Sequence, residues 1–243
     1  MDELLDWYRV VRRDLPWRRT TDPYAILVSE VMLQQTQVAR VVDRYEAWLV
    51  RWPTVEELAA APLADVLTEW VGLGYNRRAK ALWEAAGVVA REGWPADLTR
   101  LPGVGPYTAA AVGSFAFDRH ELAIDTNARR VYARWGFLPE ASAEVNQAVM
   151  ELGATLCRAH EARCDLCPIL SCGSRGQRVE RPPRRARTPF VDTERYARGR
   201  VLAALAGREE WPRQLAPDRV QRALDGLVRD GLAVRDGDRA RLA

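Results

Sequence analysis

Four groups of residues in this 243-residue sequence have the types and spacing to do chemistry. Cys157, Cys164, Cys167 and Cys172 form a C-x6-C-x2-C-x4-C run within 16 residues. Two disulfides there would staple only a tiny segment, so a shared metal centre is the stronger reading. Zinc sites usually show two separated C-x2-C pairs, whereas one pair inside a compact four-thiolate run favours an iron-sulfur cluster. The second group is LPGVGPYTAAAV, residues 101–112. Gly103 and Gly105 permit a tight hairpin, Pro106 suits the first position of a helix, and such a turn points backbone N–H groups outward as an anion site. The third is Asp125, 20 residues after Gly105 and preceded by Leu122, Ala123 and Ile124, where it caps a helix start. The fourth is Glu30, which interrupts the run Ala25–Leu33, otherwise broken only by Ser29. A carboxyl buried in such a run has a raised pKa and holds a proton near neutrality, as a general acid must.

The elements that must position these groups are helical. Leu4, Leu5, Tyr8 and Val11, and later Ala79, Leu82, Ala85, Ala86 and Val89, recur at intervals of three and four, as one buried helix face requires. Thr54 and Glu57 form a capping box, and Ser142 caps a helix predicted to run to about His160. Short loops punctuated by Pro62, Gly72, Gly74, Pro102, Gly103 and Gly105 separate about eight to ten helices. Residues 173–189 change character, with six arginines, three prolines and a single acid, and read as a linker. The tail from about Thr193 predicts two helices, the second after Pro217, and a hairpin around an Asp-Gly turn, a winged-helix-like pattern.

Composition excludes several classes. With 48% hydrophobic and 28% charged residues the chain can bury a core and is not disordered. No run approaches the roughly 18 apolar residues of a membrane span, and the charged N-terminus is unlike a secretory signal, which predicts a soluble, intracellular protein. Net charge is +3. Of 36 basic residues only Lys80 is a lysine, and arginine suits bidentate phosphate binding as well as it suits a coding bias. Arg158, His160 and Arg163, between the first two cysteines, are placed to meet phosphates.

Several longer motifs carry a family resemblance. LPGVGxxT followed by Asp125 resembles the helix-hairpin-helix glycosylase superfamily, in which the hairpin grips a DNA backbone and the aspartate faces the sugar of an extruded nucleotide. The cysteine run is similar to the 4Fe-4S motif of endonuclease III and MutY-type enzymes, with a final spacing of four where five is usual, and Gly173 supplies slack. LPWRRTTDPYAILVSEVMLQQTQV at 15–38 and GLGYNRRAKAL at 72–82 resemble MutY-type, A/G-specific adenine DNA glycosylases over about residues 1–175. The resemblance implies an all-α fold: a six-helix barrel with the helix-hairpin-helix over 20–125, and a 4Fe-4S cluster domain from 1–19 and 126–173. The linker, 174–192, and the winged-helix-like segment, 193–243, follow. The roughly 50 residues of the tail are too few for the Nudix-like domain with which such enzymes read 8-oxoguanine.

The same resemblance implies the roles. Glu30 protonates adenine at N7, and Asp125 faces the oxocarbenium-like sugar, supported by Tyr107 and Asn127. Arg18, Trp17, Leu33 and Gln147 line the adenine pocket. Gln34, Gln35, Thr36, Leu73 and Tyr75 contact the opposite base and wedge the stack, and Gly103 and Gly105 hold the backbone. Strand-cleaving relatives place a Schiff-base lysine after the hairpin; Tyr107 stands there, so a monofunctional glycosylase is expected. The expected partner is double-stranded DNA with adenine opposite 8-oxoguanine or guanine, met by a monomer in the cytoplasm at the nucleoid. A thymine or uracil mismatch glycosylase and a non-catalytic DNA-binding iron-sulfur protein are the alternatives. Glu30 with QQTQV opposes the first, and a scaffold alone needs none of Glu30, Tyr107, Asp125 and Asn127.

Overall fold

The computed structural model describes residues 1–177, 188–237 and 239–243; the central part of the predicted linker, 178–187, lies outside the described residues. The helices run α1 (Asp2–Val11), α2 (Pro23–Leu33), α3 (Val38–Arg51), α4 (Val55–Ala60), α5 (Leu63–Trp70), α6 (Arg77–Glu92), α7 (Pro106–Phe117), α8 (Thr126–Trp135) and α9 (Ala143–Thr155). After the linker come α10 (Glu194–Leu205), α11 (Pro217–Arg229) and an antiparallel hairpin, β1 (Ala233–Asp236) and β2 (Arg239–Leu242). The fold is all-α apart from that hairpin, as the periodicity predicts. The chain divides into two compact units, Met1–Glu30 with Val104–Arg184, and Val31–Gly103 with Arg185–Ala243.

In the first unit α9 packs on α1, α7 and α8. Its core gathers Leu4, Tyr8, Val131, Tyr132, Trp135, Val149 and Leu152, each large apolar side chain contributing roughly 1.5–3 kcal/mol by its burial. Val11, expected on the buried face of α1, is exposed because the helix ends there and Arg12 turns extended. Ser142 caps α9 as predicted, accepting from Val145 N–H, but the helix stops at Thr155 rather than near His160. Cys157 N–H reaches back to the Leu152 carbonyl and Cys157 bridges to Ala162, so the chain leaves the helix to begin the cysteine loop.

In the second unit the capping box is present in both directions, Thr54 Oγ1 accepting from Glu57 N–H and the Glu57 carboxylate from Thr54 N–H. Its core includes three tryptophans, Trp48 meeting Trp52 and Trp70 edge-on at 4.7 and 5.6 Å. The tail packs α10 against α11, with β2 against α10 and α5. No helix among the described residues is long and apolar enough to cross a membrane.

Candidate active site

Glu30 lies in an α2 segment whose neighbours Ile26, Leu27 and Val28 are all buried, and its own side chain is 6% exposed. Burial lifts its pKa to about 7; the charge of Asp125 pushes the same way, while a hydrogen bond from the Tyr107 hydroxyl opposes them. Tyr107 sits at the second position of α7, directly after Pro106, so the Gly-Pro hairpin fixes where its hydroxyl goes. Burial and the two carboxylates hold that hydroxyl well above the ordinary tyrosine range, which keeps it a donor. Asp125 is the N-cap of α8: its Oδ1 accepts from Ala128 N–H at 2.6 Å, and Asn127 Nδ2 donates to its Oδ2 at 3.3 Å. Asn127 is itself held, its Oδ1 accepting from Arg130 Nη2 at 2.8 Å. A Cβ on Gly153 would stand 2.9 Å from the Asn127 Cβ, so only glycine lets α9 approach there. Glu30, Tyr107 and the Asp125–Asn127 pair, from three separate segments of the sequence, are thus one linked set: a carboxyl able to carry a proton near neutrality beside a second carboxylate.

One further predicted residue, Arg18, meets a partner that sequence reasoning missed, and Arg13 meets it too. Arg18 Nη2 donates to Glu151 Oε2 at 2.7 Å, and Arg13 donates to both Glu151 oxygens at 2.7 and 3.0 Å. Burial pushes Glu151 up, but these two guanidiniums outweigh it and hold the carboxyl below its ordinary value. Arg18 also lies 5.6 Å over the Tyr8 ring, and the Tyr8 hydroxyl donates to Gln147 Oε1 at 2.6 Å. Glu151 is a lone carboxylate in the buried stripe of α9, the same signal that singles out Glu30. Trp17 lies in the 3-10 turn beside Arg18 and is partly buried.

The second unit gathers the remaining predicted contacts other than Gly105, which belongs to the first. Gln34, Gln35 and Thr36 follow the end of α2, where Leu33 is partly buried, and Leu73 and Tyr75 lie on the α5–α6 loop. Arg78 joins the two segments, donating to the Val31, Met32, Gln34 and Gly74 carbonyls at 2.6 to 3.1 Å and to Thr36 Oγ1 at 3.2 Å. Burial lowers its pKa to about 10, which leaves it charged at neutrality. Gly103, at φ 75°, is pressed so closely on α6 that a Cβ would fall 2.7 Å from that of Ala81. Gly105 caps α7 without a side chain and is exposed, leaving the backbone turn available to an anion.

Residues 28–155 match the model of the HhH-GPD superfamily of base excision DNA repair proteins, a span that includes Glu30, Tyr107, Asp125 and Gln147. The chain belongs to this superfamily. It is 42% identical to the adenine DNA glycosylase of Mycobacterium tuberculosis, over 97% of this chain and 90% of that protein. Against the human adenine DNA glycosylase it is 41% identical over 73% of this chain and 39% of that one. Among solved structures, a thermostable thymine-DNA glycosylase is 29% identical with a TM-score of 0.62, over 68% of this chain and 89% of that chain. Endonuclease III trapped as a covalent DNA intermediate shares the fold at a TM-score of 0.58, over 70% of this chain and 91% of that chain.

The HhH-GPD match ends before the cysteines, which form a site of their own. All four line one cavity of about 220 Å³, with Arg134, Arg163 and Arg175 around it. Arg134 Nη1 donates to Cys157 Sγ at 3.4 Å, and the Cys172 thiol donates to the Arg134 carbonyl at 3.2 Å. Gly173 N–H bonds to the Trp135 carbonyl, which anchors the shortened last loop on the end of α8. Burial and the other three thiols push the Cys167 thiol up. Among the described residues no three Cys, His, Asp or Glu side chains stand close enough to hold a single metal ion. Four cysteine thiols around one cavity are a donor set that fits a thiolate-bound metal centre. The basic residues expected at this rim, Arg158, His160 and Arg163, are all exposed, and Arg158 Nε donates to the Thr155 carbonyl at 3.0 Å.

Proposed function

We propose that this chain is an adenine DNA glycosylase that hydrolyses the N-glycosidic bond of adenine opposite 8-oxoguanine or guanine. The observation that carries the reading is Glu30, buried, with a pKa of about 7, hydrogen-bonded to Tyr107 and next to Asp125. A protonated Glu30 delivers its proton to N7 of the extruded adenine, which makes the base a competent leaving group. The sugar left behind gains positive charge, and the Asp125 carboxylate, held by α8 and Asn127, opposes it. Tyr107 and Asn127 orient the two carboxylates. Arg18, Trp17, Leu33 and Gln147 line the base pocket, with Glu151 fixing Arg18. Gln34, Gln35, Thr36, Leu73 and Tyr75 serve the opposite base, and Gly103 and Gly105 the DNA backbone.

The enzyme is monofunctional. Tyr107 stands where strand-cleaving relatives place a Schiff-base lysine, and Lys80, the one lysine of the sequence, donates to the Asp230 carbonyl at 3.3 Å. Cys157, Cys164, Cys167 and Cys172 hold a 4Fe-4S cluster, which orders the loop between them. Residues 20–125 act as the helix-hairpin-helix domain and 1–19 with 126–173 as the cluster domain, in a monomer that works at the bacterial nucleoid. Purified protein is expected to be yellow-brown with a visible absorption band; a colourless protein with stoichiometric zinc removes the cluster assignment.

The deciding experiment incubates the protein with duplexes carrying A:8-oxoG, A:G, T:G and U:G, then cleaves abasic sites with alkali. Product from the two adenine duplexes, and strand breaks only after alkali, is the expected result. Preference for T:G or U:G selects the thymine or uracil mismatch alternative; the 29% identical neighbour is a thymine-DNA glycosylase. No product from any duplex leaves a binding protein.

A further inference from the structure

The chain that delivers Asp125 has no regular structure of its own. Between the end of α7 and the start of α8, residues 118–125 form neither helix nor strand, and among the described residues no backbone group from 122 to 124 bonds to another backbone group. A side chain takes the place of that pairing. Asn146, on α9, is 1% exposed; its Oδ1 accepts from Ala123 N–H at 3.0 Å and its Nδ2 donates to the Glu121 carbonyl at 2.8 Å. One amide bonded to a carbonyl and to the N–H two residues further on is the pattern of a parallel β-bridge, so the carboxamide acts as a one-residue strand partner. Its Nδ2 also donates to Ser114 Oγ of α7 at 2.9 Å, which fixes which way round the amide lies.

Burial makes this bridge obligatory. Ala123 and Ser114 are buried with Asn146, so water cannot replace a lost partner there, and an orphaned Ala123 N–H is relieved only if the loop moves. Two residues on, the chain reaches Asp125, whose Oδ1 caps α8 while its charge acts on Glu30 and Tyr107. The cap fixes the carboxylate relative to α8; the Asn146 bridge fixes the chain that enters α8, on the side of α7 and α9. Both constraints are needed, because a misplacement of about 1 Å at a reacting group costs up to about 10²-fold in rate. We propose that Asn146 is a positioning residue for base excision, acting through its bridge to residues 121–123 to hold Asp125 where positive charge develops on the sugar. This rests on the proposed glycosylase reading, in which Asp125 opposes that charge.

The test pairs excision with a measurement that needs no substrate. Asn146→Leu keeps a branched side chain without donor or acceptor, and is expected to lower single-turnover adenine excision about tenfold or more while duplex affinity stays within about twofold. In the Asp125→Asn background the same change is expected to cost less than about twofold, because the charge it seats is already gone. Ser114→Ala removes one partner of the amide but leaves the bridge to the loop, and is expected to keep the native rate within about twofold. Hydrogen exchange is the substrate-free arm. The amides of Ala123 and of Ala128, the latter bonded to Asp125 Oδ1, should exchange about tenfold faster in Asn146→Leu, with a much smaller rise at Leu152 of α9. Should Asn146→Leu fail to fold, Asn146→Gln carries the same test with the same expected results, since it keeps the amide and sets it one carbon further out. A loss that persists in full in the Asp125→Asn background overturns the inference, as does exchange that rises equally at Leu152, since both mark a general loosening of the core. A native rate in the folded variant overturns it too, and so does a Ser114→Ala loss as large as that of Asn146→Leu. If the native chain excises no adenine, the glycosylase reading falls, and the exchange arm alone decides whether Asn146 seats Asp125.

Discussion

Glu30→Gln is expected to lower single-turnover excision of adenine from A:8-oxoG duplexes by about 10²- to 10⁴-fold, the usual contribution of a positioned general acid. Glutamine matches the shape of glutamate and can still meet the Tyr107 hydroxyl, so the loss is of the proton and not of packing. The native enzyme should show the same dependence in its pH profile. Only the protonated carboxyl donates, so its rate should fall toward tenfold per unit as pH rises above about 7. Stability supplies a second, independent readout. Burial raises the carboxyl from 4.5 to about 7 in the folded state, so the folded chain binds this proton more tightly than the unfolded one. The stability so contributed is complete below about pH 4.5 and is lost as pH rises to about 7. The full change corresponds to about 3 kcal/mol. Glu30→Gln has no such titration. In urea melts, the native chain should lose about that much relative to the variant between about pH 4 and about pH 8. A variant that keeps the native rate, or a stability difference independent of pH, contradicts the assignment of the acid.

How far this site was legible in the sequence depends on the kind of signal each residue leaves. Glu30 declares itself because a carboxylate in an apolar run is either partnered or functional, and the capping positions of Thr54, Asp125 and Ser142 follow from local rules that the structure obeys. The tail's two helices and hairpin were legible for the same reason: period and turn chemistry are local. Arg78 was not. Its partners are mostly backbone carbonyls, several of them more than 40 residues away, and a carbonyl has no residue type to read. Arg195 meets Tyr75 across 120 residues, and nothing in either segment announces the other. Glu151 is the instructive omission. It carries the same lone-carboxylate signal as Glu30, but its helix reads as simply amphipathic, and its cationic partners lie 133 and 138 residues earlier. Position along α9 shows that Glu151 is buried; only the fold shows that Arg13 and Arg18 satisfy it. Val11 was assigned to a buried face and the end of α9 was misplaced because periodicity reports a face, not where a chain turns away to make a loop.

Asp125→Asn separates the two things that Asp125 does, and it is expected to lower excision by about 10²- to 10³-fold with almost no change in stability. As an N-cap the residue needs only an oxygen that accepts from Ala128 N–H, and asparagine supplies one about as well as aspartate. The fold should therefore change by less than about 1 kcal/mol, as read in urea melts, whereas Asp125→Ala should lose the cap as well and cost about 1 kcal/mol more. What asparagine cannot supply is negative charge opposite the sugar as the base departs. That need exists only in the transition state, so the loss should fall on the chemical step and leave duplex binding intact or tighter, since a carboxylate facing a polyanion is gone. One more consequence follows from the coupling of the two carboxyls. The charge of Asp125 helps raise Glu30, so in Asp125→Asn the residual activity should begin to decline at a lower pH than in the native enzyme. A residue acting only as a helix cap predicts the opposite pattern: a native rate and an unmoved pH limb in Asp125→Asn, with damage confined to the alanine variant.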